Sequence, residues 1–535
     1  MNISLKVAVA GVIALAGANV MASTPAEIQA AASNGTLATL YVSGATATDN
    51  AFENLFKIDD TAFRVCLPNT LDVYYFKSGS GSISQRALTC TAAFSATGII
   101  SGTTKLALLK ESAGGSANGI INPATNAALP FIDIVNGASN FASMCATVTG
   151  TGATLPNGTG TFNTRDCGHV LATATASTVT RTNFVPQSGI SDIDPATFVG
   201  TGGVTAAHDS ALTRKRTSIA VTFNPIVSVP MFTALQRAYG YVGGTAAETT
   251  ASVNTLPSLP SSALRAIFNG NSALNASEIN VNGVRLDSVL SGFADQSGDI
   301  YLCRRGDTSG TMTSFKLHFL GQGCNKNVAS NITFITPDTA SCTAAGCAWN
   351  STTFANDFVF AGAGSGDVRS CMDYQSSRGR LAVGIASTEA KPGTTSNRYR
   401  YIKVDGAEPT LKAVMEGRYS FFTENTFNDK FPGTSASGSQ SLWDKLFTSI
   451  GNPVAISELN RSWRTSVALT ATDDGTADTG ILDVASSSNA TTITNLFSDG
   501  AITGTEVRAT PINSQTRQTL SGGANNCNLP YQAYP

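Results

Sequence analysis

Charge is scarce in this 535-residue chain: Asp, Glu, Lys and Arg make up 13%, and the formal net charge is −2. Without a basic excess there is no broad electrostatic footprint for nucleic acid, so any anion must be held by local geometry. Histidine is rarer still. The three, His169, His208 and His318, stand far apart in sequence, which leaves neither zinc nor a histidine-activated nucleophile a recognisable setting. No Cys-x-x-Cys pair occurs, and beyond residue 22 no apolar run approaches the ~20 residues that span a bilayer. The glycine loop Gly362-Ala363-Gly364-Ser365-Gly366 lacks the Lys-Ser/Thr of a Walker-type nucleotide site.

What is present points to export. Residues 1–22 carry Lys6, an apolar run and the small-residue stretch Val20-Met21-Ala22, the pattern of a cleaved signal peptide. No cysteine follows that stretch, so no lipid anchor is expected. Ten cysteines in a chain so marked are expected as disulfides. Sequence alone does not fix connectivity; pairing neighbours gives Cys66–Cys90, Cys145–Cys167, Cys303–Cys324 and Cys342–Cys347, and leaves Cys371 for Cys527. The length suits two domains, or one two-lobed unit with insertions.

The chain is organised around the stretch from Asp299 to Leu320. Ile300 to Arg305 reads as a short apolar strand, and Met312, Phe315 and Phe319 recur at helical spacing before Gly321 and Gly323 stop them. Between them, Gly306-Asp307-Thr308-Ser309-Gly310-Thr311 joins a strand to a helix N-terminus. Such a loop aims unpaired N–H groups, the hydroxyls of Ser309 and Thr311 and the positive end of the helix dipole at one point, with Arg305 nearby. Read blandly, Ser309 caps a helix and Arg305 is a surface charge. The spacing Arg-x-Asp-x-Ser-Gly-Thr is narrower, and resembles the signature loop of the periplasmic phosphate-binding proteins of ABC transporters.

Further segments extend the resemblance in the family's order. Residues 36–42 read as a strand running into Ser43-Gly44-Ala45-Thr46-Ala47-Thr48 and a helix bearing Phe52, Leu55 and Phe56, similar to the first ligand loop; the family's Phe-Pro is replaced by Thr48-Asp49-Asn50. Residues 70–77 alternate as a strand, Ser78-Gly79-Ser80-Gly81-Ser82 follows, and Ile83, Ala87 and Leu88 suggest another helix; Ser80 matches the family's serine donor. Gly189-Ile190-Ser191-Asp192 precedes Ile193-Asp194-Pro195, and Asp192 matches the family's carboxylate, with Asp194 its rival. A carboxylate there accepts the proton of hydrogenphosphate and repels sulfate, which has none to give. Residues 219–223 read as a strand crossing between lobes, and 419–422 as the returning strand. Gly362 to Gly366 is read as scaffold.

The resemblance implies an α/β, two-lobed, type 2 periplasmic-binding-protein fold with a hinge. Residues 23–464 are expected to form it, with a disulfide-linked insertion at about 90–185, and residues 465–535 to form a Ser/Thr-rich C-terminal extension. It further implies that Thr46, Ala47, Ser80, Asp192, Arg305, Ser309, Gly310 and Thr311 converge on inorganic phosphate or a similar tetrahedral oxyanion, with Asp307 orienting Arg305. No metal, cofactor, covalent chemistry, nucleic-acid partner or integral membrane segment in the mature chain is expected. The partner would be an ABC permease of the inner membrane, and the location periplasmic, secreted or at the cell surface. The rival reading is a secreted or cell-surface structural or interaction protein that keeps the fold without a transport role; the oversized insertion, a long polar tail, the altered first loop and the lack of a lipid site favour it.

Overall fold

The computed structural model describes residues 23–58, 60–77, 83–137, 139–154, 161–169, 179–244, 255–269, 274–321, 334–344, 346–387, 399–410, 413–414, 416–431, 437–452, 455, 481–484, 512–513, 515–516, 526–527 and 531–532. The leader at 1–22, Ser80, Gly323, Cys324 and most of 465–535 lie outside the described residues.

The first lobe contains β1 (Leu37–Gly44), α1 (Asp49–Leu55), β2 (Leu71–Lys77), β3 (Ile83–Thr91), β4 (Lys105–Glu111), α2 (Gly115–Thr125), β5 (Ser188–Ser191) and the single-turn α3 (Pro195–Phe198). β1 lies between β4 and β5 and is parallel to both, while β3 and β2 continue the sheet antiparallel. The periodicity of β1 and β4 explains their place. Leu40, Val42, Leu106 and Leu108 face one core cluster, and Tyr41, Ala107 and Leu109 the opposite one. Strands buried on both faces need such near-continuous apolar runs.

A long strand, β6 (Arg214–Ser228), leads out of this lobe and into α4 (Val229–Ala238), whose N-terminus is capped by Ser228. The second lobe follows with α5 (Ser261–Phe268), β7 (Ile300–Arg305), α6 (Gly310–Leu320), β8 (Val359–Gly362), α7 (Ser365–Ser377) and β9 (Leu381–Ser387). β7 is parallel to both its neighbours, β8 and β9. The chain returns along β10 (Phe422–Asp429), and α8 (Gly438–Ile450) packs onto the first lobe, where Trp443 lies against Phe52 and Phe427. A strand at Ile481–Val484, β11, adds to β6.

β6 is the crossing between lobes. From Arg214 to Thr222 it pairs with β10, and from Phe223 to Val227 with β9, so its partner changes at Thr222/Phe223, opposite Phe422 at the start of β10. The chain therefore passes between the lobes twice at one level, along β6 and again where β10 begins, a geometry suited to hinge motion. The sheet runs through this point, with fifteen strands among the described residues. No helix among them is long and apolar enough to cross a membrane.

Several expectations change. Residues 83–91 are a strand hairpinned to β2, not a helix. Ile83, Ala87 and Leu88 were too few apolar positions to separate the two periods. Cys303 bonds Cys371 rather than Cys324, which removes the expected Cys371–Cys527 pair. The reason is topological: β7 and α7 pack face to face across 68 residues of sequence, a proximity that neighbour pairing ignores. Cys66–Cys90, Cys145–Cys167 and Cys342–Cys347 form as expected. Within residues 90–185, β4 and α2 are built into the central sheet and its helical layer.

Candidate oxyanion site

Five strands, in one parallel set from each lobe, end at one place. The carboxyl ends of β1, β4 and β5 in the first lobe and of β7 and β8 in the second lead to Thr46, Ser116, Asp192, Ser309 and Ser365. Ligand sites of open α/β sheets lie at such strand ends, because the following turns and helix N-termini leave backbone donors unpaired there.

Arg305, the last residue of β7, is 3% exposed and spans the lobes. Its Nη1 donates to Thr46 Oγ1 at 2.9 Å and to Ser365 Oγ at 3.0 Å; Nε donates to the Gly362 carbonyl at 3.3 Å and Nη2 to that of Ala363 at 2.9 Å. Four of the five guanidinium N–H groups are thus used, two of them on hydroxyls that an anion could replace. Burial disfavours its charge, and Asp192, Asp367 and Asp49 offset part of that.

Asp192 follows β5 at the N-terminus of α6. Its Oδ2 accepts from Thr311 Oγ1 at 3.3 Å and its Oδ1 from Asn425 Nδ2 at 3.2 Å, while its backbone N–H donates to Ser116 Oγ at 3.1 Å. Burial raises its carboxyl above the ordinary range against the opposing pull of Arg305, Ser116, Lys110 and Thr311. Asp194, the rival, accepts from Thr197 N–H at 2.8 Å and caps α3, so it serves the backbone.

Ser309 precedes α6, yet makes no side-chain cap bond. Its Oγ is buried without a hydrogen-bond partner among the described residues. Such a group costs roughly 1–3 kcal/mol unless something pairs with it. Gly310 is required by contact: a Cβ there would stand 2.3 Å from Ser116 Oγ and 2.7 Å from Asp192 Cβ. The Thr308 carbonyl accepts the Ala117 N–H at 3.0 Å, so the N-termini of α2 and α6 meet across the lobes.

Thr46, Asp192, Arg305, Ser309, Gly310 and Thr311 therefore come together, and Ala47 is buried in the same turn as Thr46. Asp307 does not orient Arg305. It pairs with Arg304 and Lys316, each at 3.1 Å, because the next side chain along the strand points to the other face. Gly362 to Ser365, read as scaffold, touch Arg305 directly. Ser116 was missed. Its signal was present: the apolar run Leu106 to Leu109, then Gly114-Gly115-Ser116 opening a helix, repeats the strand, glycine and helix pattern of the other loops, but falls inside the span read as insertion.

No protein-family model matches the chain, and no curated protein matches it. Among solved structures the chain is similar to a putative phosphate ABC transporter substrate-binding protein with bound phosphate from Clostridium perfringens, 12% identical, covering 79% of this chain and 97% of that one, with a TM-score of 0.37. It is similar to an ABC-type phosphate transport receptor from Vibrio cholerae, 15% identical over 51% of this chain and 79% of that one, with a TM-score of 0.28. It is also similar to PstS from Borrelia burgdorferi, 10% identical over 79% of this chain and 96% of that one, with a TM-score of 0.29. At these identities and TM-scores the likeness carries neither ligand nor partner across.

Proposed function

We propose that this chain is an exported solute-binding protein that captures inorganic phosphate, or a similar tetrahedral oxyanion, between its lobes. The observation that carries the reading is the buried, unpartnered Ser309 Oγ at the start of α6, beside Arg305 and the first-lobe residues Asp192 and Ser116. In this reading the N–H groups of Gly310 and Thr311, with the hydroxyls of Thr46, Ser116, Ser309 and Thr311, donate to the oxygens. Arg305 neutralises charge, and Asp192 accepts the proton of hydrogenphosphate. Ser80 lies outside the described residues, and Ser116 supplies the serine donor expected of it. Motion about Thr222/Phe223 would close the lobes on the anion, and an inner-membrane ABC permease would receive it. Disulfide use fits an oxidising, extracytoplasmic location.

A surface or interaction protein without transport is the second reading, and one feature favours it. β11 adds to β6 beside the crossing point, and Asn526 bonds both Glu424 on β10 and the Asp194 carboxylate, so C-terminal segments tie the hinge strands. Calorimetric titration with phosphate separates the two. Saturable binding that is lost in Arg305→Ala and Asp192→Ala supports the receptor; no heat at millimolar phosphate supports the surface role.

A further inference from the structure

We infer that Lys110 is a positioning residue of the oxyanion site, a single buried ammonium that sets two of the three first-lobe loops in place, those of Thr46 and Ser116; the inference rests on the reading of the site given above. Lys110 ends the apolar run Leu106 to Leu109 on β4, beside Val42 of β1, and is 1% exposed. An ammonium so placed must be fully paired to persist. It is: Nζ donates to the Ala45 carbonyl at 2.6 Å, to Ser112 Oγ at 2.9 Å and to the Asp49 carboxylate.

Those three acceptors define the role. Ala45 immediately precedes Thr46 and Ala47, Ser112 begins the turn that delivers Ser116, and Asp49 is the first residue of α1. Ser112 Oγ also donates to the same Asp49 oxygen, at 2.7 Å, which closes the connection between the loops. A lysine has three N–H donors. With all three used, Lys110 has none for a ligand and acts through the residues it holds.

A plain core ion pair is the competing explanation, and the charge balance allows the two to be separated. Arg86 bonds the other Asp49 oxygen at 2.5 Å and Glu53 at 3.3 Å, and Lys57 pairs with Glu53 at 2.7 Å. Without Lys110, two carboxylates still face two cations, so Lys110→Met leaves no orphaned charge and the fold is expected to survive.

The test is phosphate titration calorimetry with thermal melts on the full chain and on Lys110→Met, Ser112→Ala and Lys57→Met. Expected are a phosphate Kd raised about tenfold or more in Lys110→Met and about threefold in Ser112→Ala, the scale of one charged and one neutral hydrogen bond. Lys57→Met, in the same network but touching neither loop, loses melting temperature while its Kd stays within about twofold. Unimpaired binding in both Lys110→Met and Ser112→Ala, with the wild-type chain binding, overturns the inference alone. Equal weakening in Lys57→Met and Lys110→Met overturns it in favour of a general stability effect. If the wild-type chain binds no phosphate, the reading of the site falls and this inference with it. Should Lys110→Met not fold, Ser112→Ala decides.

Discussion

Arg305 Nη1 lies 2.9 Å from Thr46 Oγ1, a hydrogen bond from the second lobe to the first. One guanidinium thus joins two loops more than 250 residues apart in sequence, and Ser365 Oγ completes the triangle at 2.9 Å from the threonine. A planar fork does this while also holding the Gly362 and Ala363 carbonyls, four acceptors that the three donors of an ammonium cannot all cover.

The first prediction concerns that fork. Arg305→Lys keeps the charge but abandons the Gly362 and Ala363 carbonyls and one hydroxyl. Phosphate affinity should fall by about 10- to 100-fold, the equivalent of one or two charged hydrogen bonds. Calorimetry reads the change directly, and a Kd equal to wild type would remove Arg305 from the site.

A second prediction concerns selectivity. Asp192, ionised, accepts a proton from the ligand; Asn in its place can donate to an oxygen that has none. Asp192→Asn should therefore weaken phosphate binding and narrow its advantage over sulfate by about tenfold or more. Competition between the two anions in a single titration series gives the ratio, and an unchanged ratio counts against a proton-accepting role.

Stability should decline from acid to neutral pH through Glu111. Burial between β3 and the turn before α2 raises its carboxyl to about 7, against hydrogen bonds from Ala113 N–H and Gln85. The folded chain then holds a proton that the unfolded chain, near 4.5, has released, so the contribution of Glu111 is fully present below about pH 4.5 and is lost as pH rises through 7. The loss is of the order of 3 kcal/mol by pH 8. Urea unfolding across this range should show a shallower decline for Glu111→Gln, and identical slopes would contradict the assignment.

The Cys303–Cys371 bridge should matter more than its neighbours in sequence suggest. It closes 68 residues and pins α7, whose N-terminus carries Ser365, to β7, which carries Arg305. Replacing both cysteines by alanine should cost about 2–4 kcal/mol. Chemical unfolding measures it, with the short Cys342–Cys347 loop as the smaller comparison.

How far the sequence foretold this differs from loop to loop. Ser309 to Thr311 was legible because strand, glycine and helix adjoin in one short stretch; Asp192 was offered only by the family resemblance, since the proline just inside α3 marks Asp194 as the cap. The β2 to β3 hairpin was misread because small polar turns serve hairpins and helix starts alike. Ser116 was overlooked because its strand, β4, takes its place in the sheet through parallel pairing with β1 across more than 60 residues, a long-range fact that periodicity does not contain. Arg304 and Arg305 illustrate the same limit: adjacent and identical in chemistry, they face opposite sides of β7, and only pairing with β8 and β9 decides which one reaches the cleft.

The central claim is that one small anion sits where the five strand ends meet. Diffraction from crystals grown with saturating phosphate tests it most directly. The account predicts tetrahedral density held by Ser116, Arg305 and Ser309, with one oxygen against Asp192. A cleft that stays empty under those conditions, or an anion bound only elsewhere, contradicts it.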